Sequence, residues 1–195
     1  MAKVEFDQGV ISNASIRLLR GDVATELLSG IEVVTSFPKA RWGVSFNVIT
    51  LRPENRGQTI AAMTRLSSFK NWIELTPPNY SGSEYTGAIT VAGGAQIGTT
   101  INIASAAETT VLKAGDWFSV NGELKMVIED CVTDAQGLGT IEFEPSLRNS
   151  PANATALVTQ APVAKYRLTN PEAAWAISQG GYTAVQFDCV EVIDD

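Results

Sequence analysis

Arg41-Trp-Gly-Val-Ser-Phe-Asn-Val-Ile-Thr-Leu51 is the stretch that decides the fold class. Trp42, Val44, Phe46 and Val48 alternate with Gly43, Ser45 and Asn47. A period of two places the large side chains on one face of an extended chain, the signature of a half-buried strand. Upstream, Ile31-Glu-Val-Val-Thr-Ser-Phe37 before Pro38 is a second strand-like run. Downstream, between Pro53 and Lys70, the period changes: Ile60, Met63, Leu66 and Phe69 recur every three residues beside Ala61 and Ala62. That spacing predicts one apolar stripe along a helix that can lie on a sheet. Alternation returns in Asn71-Trp-Ile-Glu-Leu-Thr76, and Pro77-Pro78 closes a unit ordered strand, strand, helix, strand.

From Gly87 to Ala161 the texture shifts to short runs rich in Ala, Gly and Thr. Strands are expected at Ala88–Ala92, Thr100–Ala104, Trp117–Val120, Leu124–Glu129, Gly139–Glu144 and Thr155–Thr159. Asn121-Gly122 between two of them is a hairpin signal, because both residue types tolerate positive φ. Close spacing with turn punctuation predicts a small β-barrel or sandwich. After it come Lys165–Leu168 and the long run Thr183–Ile193, in which Val185, Phe187, Cys189 and Glu191 share one face. Neither end of the chain offers enough strands alone. The expected organisation is therefore a discontinuous outer domain of residues 1–86 and 162–195 with one packed helix, interrupted by an inserted β domain, residues 87–161. The fold class is mainly β.

Composition narrows the function. Hydrophobic residues make up 45% and charged residues 18% of the 195 positions, enough to bury a core. A net charge of −7 argues against tight binding to a phosphate backbone, which rests on Lys and Arg. The same sign suits a passage through which DNA slides without being held. There is no histidine, which removes Ser-His-Asp triads, Cys-His dyads and His-ligated zinc. Cys131 and Cys189 are too few and too far apart for a redox or thiolate-metal motif, and two buried free thiols are expected. No run has signal-peptide or membrane-spanning character, so cytoplasmic synthesis without membrane insertion is expected.

Glu142 and Glu144 share a strand face and could pose as an acid/base pair, yet a solvated face explains them. Asp116 adjoins Trp117 and Phe118 in a turn, where it should bond backbone while one aromatic enters the core. Glu129, Asp130 and Asp134 lack the spacing of a calcium loop. Gly93-Gly94 and Gly180-Gly181 lack a phosphate-loop lysine and are expected to be turns. Arg17, Arg20, Arg41, Arg52, Arg56 and Arg65 concentrate arginine in the first third, where a subunit contact would use it. Tyr80, Tyr85, Trp117 and Trp175 are the aromatics a carbohydrate-binding reading would need. No catalytic, cofactor-binding or metal residue is assigned, and no enzyme activity is expected.

Leu112-Lys-Ala-Gly-Asp-Trp-Phe-Ser-Val-Asn-Gly-Glu-Leu-Lys-Met-Val127 resembles a segment that recurs in phage tail proteins. The likeness continues through Glu142–Arg148, Thr155–Val158 and Pro162–Leu168, about a third of the chain. The family it points to is the distal tail proteins of long non-contractile-tailed phages. The strand–strand–helix–strand start is similar to the tube-like domain those proteins share with tail tube subunits. The resemblance implies a virion structural protein forming a ring, usually a hexamer. That ring would join the tail tube to the tail-tip hub and receptor-binding proteins, with DNA only as passing cargo. It carries over no catalytic residue.

Overall fold

The computed structural model describes residues 2–4, 11–35, 39–51, 53–68, 70–169, 176–177 and 183–192. It is mainly β, with one helix among the described residues. In chain order the elements are β1 (Ala2–Lys3), β2 (Ile11–Leu19), β3 (Val23–Glu26), β4 (Glu32–Thr35), β5 (Arg41–Leu51), α1 (Pro53–Leu66) and β6 (Asn71–Leu75). There follow β7 (Thr90–Val91), β8 (Gly98–Ala104), β9 (Thr110–Leu112), β10 (Trp117–Val120), β11 (Glu123–Val127), β12 (Cys131–Val132) and β13 (Leu138–Leu147). The chain ends with β14 (Ala164–Leu168), β15 (Ala176–Ile177) and β16 (Thr183–Glu191).

The larger sheet runs β1-β6-β14-β16-β5-β2, with β15 added against β16, and curls into a half-barrel. Its strands come from both ends of the chain. β5 is an inner strand with both edges paired, running antiparallel to β16 (Phe46 opposite Phe187) and to β2 (Val44 opposite Ile16). As its alternation predicts, Trp42, Val44 and Phe46 are buried. They form one core with Ile73, Leu75, Tyr166, Leu168, Phe187 and Cys189.

The helix ends earlier than the sequence pattern suggests, at Leu66. Met63 and Leu66 are the stripe residues it buries against the sheet. Its C-terminal carbonyls find donors nearby: Ser67 N–H bonds the Met63 carbonyl at 2.9 Å, and the Asn71 side-chain amide donates to the Arg65 carbonyl at 2.7 Å. Arg65 lies in the last turn, where a cation complements the helix dipole. Phe69, the next residue in the expected stripe, lies outside the described residues.

The middle of the chain builds a five-stranded sheet, β10-β11-β13-β8-β7, and a short pair, β12-β9. Asn121 and Gly122 make the β10–β11 turn with φ of 52° and 78°, as the dipeptide predicts. Residues near Thr155–Thr159 contribute only isolated bridges, Ala156 to Thr90 and Val158 to Ser119. A second core fills this unit, built on Ile101, Ile103, Phe118, Ile141 and Phe143.

The two cores meet on one strand. Only one of Trp117 and Phe118 was expected inside, yet both are buried. Adjacent residues of β10 point to opposite faces, so Phe118 enters the core of the smaller sheet while Trp117 packs into that of the curled sheet. Leu124, on β11, joins Trp117 there.

Candidate assembly surface

A charged cluster fastens the two sheets where those cores touch. Glu191 on β16 is only 3% exposed, and its carboxylate accepts the backbone N–H of Trp42 at 3.0 Å and of Leu124 at 3.2 Å. The Trp42 indole N–H returns the contact, donating to the Leu124 carbonyl at 2.9 Å. Its ring stands edge-on to Trp117, with centroids 4.7 Å apart. Beside them the buried Lys125 ammonium donates to Glu123 at 2.7 Å and to the Ser146 carbonyl at 2.9 Å. Glu123 also accepts the N–H groups of Arg148 and Asn149, and the Arg148 guanidinium donates to the Ala40 carbonyl across the junction.

Burial decides how these groups titrate. Loss of water pushes the Glu191 carboxyl above its ordinary range, against the pull of its two N–H donors and Lys125. Burial likewise lowers Lys125, with Glu123 opposing. The two carboxylates and the ammonium are held by one another and by backbone, while the buried Arg148 Nε has no hydrogen-bond partner, and the arrangement is that of a structural joint. Sequence reasoning passed over Glu123 and Lys125. Their spacing of two on a strand, with opposite charge on one face, was the available signal.

The singled-out acids do backbone work. Asp116 accepts the N–H of Lys113 at 2.9 Å, Asp130 that of Ala114 at 2.8 Å, and Asp134 those of Gln136 and Leu138. Glu142 is exposed, and Glu144 faces Arg20 at 3.6 Å. Among the described residues no group of three metal-ligating side chains gathers. Gly93 is in a turn with φ of 90°, its N–H bonded to Asn153, while Gly180-Gly181 lies outside the described residues.

The described arginines are spread over β2, β5 and the helix. Arg17 donates to Ser45 at 3.4 Å on the open face of the curled sheet, where Ser45 in turn donates to Asp188. Arg65 is exposed on the helix, and Arg41 is half-buried at the start of β5. Arg52 and the Arg56 side chain lie outside the described residues. Among the aromatics, Trp117 is core, Tyr80 donates to the Trp117 carbonyl at 3.2 Å, and Tyr85 accepts from Ser105 at 2.9 Å. Trp175 lies outside the described residues. Trp117, Tyr80 and Tyr85 are thus engaged within the chain. Both cysteines are buried thiols, and burial pushes Cys189 up to about 12 and raises Cys131.

What remains unexplained by the fold itself is the β3–β4 hairpin. The Ile31–Phe37 run was expected to be a strand, and β4 falls within it, but β4 supports no core. Every strand residue of this two-stranded sheet is exposed. Val23, Leu27, Ile31 and Val34 all exceed 45% exposure, and Leu28 at the tip is fully exposed. The register puts Val23 and Val33 on one face of the pair and Val34 on the other, so the exposed apolar surface is spread over both faces and the tip, and its extent makes the hairpin a candidate contact surface. Glu26 and Glu32 face each other across the pair, and like charges directly opposite weaken a hairpin already marginal by size.

A second feature lies on the curled sheet. β2 pairs with β5 on one side and is the last strand of the sheet order on the other. Beside its Ile11 end opens a cleft of about 270 Å³ whose floor is Ile11, Ala14, Val44, Phe46, Leu75 and Pro78. Asn13, Thr76 and Asn79 complete its lining.

No protein-family model matches the chain, and no curated protein matches it. None of the described helices is long and apolar enough to cross a membrane.

Proposed function

We propose that this chain is a non-enzymatic structural subunit of a phage-type virion tail. In this reading it assembles into a closed ring, with six copies as the expected number. The ring joins the tail tube to the tail-tip hub and receptor-binding proteins. The observation that carries the reading is the β3–β4 hairpin, whose large apolar side chains are exposed among the described residues. Such a surface costs free energy in water and is stabilised by burial against a partner.

Three further features support it. Among the described residues β2 has a partner strand on one side only, and a neighbouring subunit can pair with its outer edge. Asp116, Asp130 and Asp134 accept backbone N–H groups, Glu144 faces Arg20 and Glu191 bridges the two sheets, so these acids have structural work in the single chain. The net charge of −7 suits DNA that passes without being held. The placement in a tail, and at its distal end, rests on the resemblance of Leu112–Val127 and the segments that follow it.

Light scattering on the purified chain across a hundredfold concentration range, with electron microscopy of the same sample, tests the proposal. The expected result is one closed oligomer visible as rings. A monodisperse monomer throughout would overturn it.

A further inference from the structure

We infer that the open face of the curled sheet is a basic docking surface whose occupant is the acidic smaller-sheet unit of a second copy of this chain. The inference rests on the self-assembly reading and specifies the surfaces that mate.

Register places the cations. On the side of the sheet away from Trp42, Val44 and Phe46, alternation puts Lys3 of β1, Lys165 and Arg167 of β14, Arg41 of β5 and Arg17 of β2. One cross-strand row runs from Arg167 through Val190 and Gly43 to Arg17. In the row beside it Lys165 stands opposite Glu74, and Arg41 opposite Leu19. Glu74 and Asp188 are the acids of this face among the described residues. The face therefore carries +3 in a chain of −7, which leaves −10 for everything else. Both acids are already engaged, Glu74 with Lys3 at 2.8 Å and Asp188 with the Ser45 hydroxyl. Arg41 and Arg167 are half-buried, and neither has a hydrogen-bond or ion-pair partner among the described residues. A guanidinium so placed suits a carboxylate arriving from outside, because its planar fork can take both oxygens.

Residues 87–161 supply such carboxylates. Glu108, Glu129, Asp130, Asp134 and Glu142 are exposed there, against Lys113 as the exposed cation. Glu129 and Glu142 are brought close, because the N–H of Ile128 bonds the Glu142 carbonyl at 2.9 Å. The chain's own smaller unit cannot be the occupant, since Trp117 and Leu124 fix it in the core on the opposite side of the curled sheet. Two basic faces repel each other, so the contact joins unlike surfaces and not a symmetric pair. A head-to-tail contact of that kind generates a ring when its rotation closes.

Charge reversal in the full-length chain tests this. Arg41→Glu/Arg167→Glu and Glu129→Lys/Glu142→Lys chains are prepared separately and checked for the native circular dichroism spectrum. Each alone should need roughly tenfold more protein to form the oligomer, and an equal mixture should restore it, because the reversed face of one fits the reversed unit of the other. Loss in each alone without recovery in the mixture would overturn the inference. If the unmodified chain forms rings and both variants form them equally well, the face-to-unit contact fails while the ring reading stands. If the unmodified chain is a monomer throughout, both fail. A DNA oligonucleotide held by the unmodified chain and released by Arg41→Glu/Arg167→Glu, with assembly unchanged, would give the face to a phosphate backbone and also overturn the inference. Where a variant misfolds, the unmodified chain decides: raising salt from about 0.05 to about 0.5 M should raise the concentration needed for rings roughly tenfold, and an unchanged threshold would sink the contact.

Discussion

The Glu191 carboxylate, on the last described strand of the curled sheet, accepts the backbone N–H of Leu124 in the smaller sheet at 3.2 Å. Its other oxygen holds the N–H of Trp42, so one buried side chain satisfies a donor on each side of the junction. Glu191→Leu would leave both donors unpaired, at about 1–3 kcal/mol each. Glu191→Gln keeps an acceptor and should cost clearly less. Urea unfolding of the two variants beside the unmodified chain measures the difference, and equal losses would deny the carboxylate this bridging role.

The same group gives a pH dependence with a defined sign. Burial raises the Glu191 carboxyl in the folded chain, so folding favours its protonated form. Its contribution to stability is full below the ordinary value near 4.5 and is lost as pH rises through the higher folded value. Relative to Glu191→Gln, the unmodified chain should therefore lose stability as pH climbs from 4 towards neutrality. Denaturant midpoints of both chains across that window check the slope.

Lys125→Met should be among the most damaging single changes. It would leave the Glu123 carboxylate buried without its ammonium partner, although the Arg148 and Asn149 N–H groups remain. Breaking a buried pair costs about 3–5 kcal/mol, and those two donors place the expectation at the lower end. Chemical denaturation measures it. A loss under about 1 kcal/mol would show the pair to be dispensable.

Trp117→Ala should destabilise the chain by about 3–5 kcal/mol, the usual cost of emptying a large aromatic site. Because Trp117 lies on the smaller sheet but packs in the core of the curled one, the damage should reach both. Hydrogen exchange should show weakened protection at β5 and β10 together. Weakening confined to β10 would mean that the shared core does not couple the sheets.

Gly137→Ala and Gly122→Ala separate steric from conformational cost. Both positions have positive φ, but a Cβ at Gly137 would stand 2.3 Å from the Ser105 carbonyl oxygen, whereas at Gly122 it meets open space. Gly122→Ala should cost about 1 kcal/mol from the backbone alone. Gly137→Ala should cost at least twice that, compared by thermal unfolding.

Much of the architecture was legible because it depends on period. Trp42, Val44 and Phe46, the stripe at Met63 and Leu66, and the Asn121-Gly122 turn were each readable from local spacing, since alternation and turn chemistry are properties of a few adjacent residues. β2 was missed because Ile11-Ser-Asn-Ala-Ser-Ile-Arg-Leu-Leu19 mixes small and polar residues with a register shift between Ile11 and Asn13, which blurs its period. Ile31–Phe37 shows the limit from the other side: its strand propensity was visible, but not that the strand faces solvent.

By itself, the sequence determined the β class, the helix, the hairpin turn and the absence of histidine chemistry, because each is carried by residue identity or short-range spacing. Tertiary structure alone decided that Trp117 and Phe118 serve different cores, that Glu191 closes the gap between Trp42 and Leu124, and that Leu28 is left bare. The Glu191 bridge spans 67 and 149 positions of sequence, and Leu28 is bare among the described residues. Burial and pairing at such separations are set by how strands are ordered in a sheet, and no local pattern encodes that order.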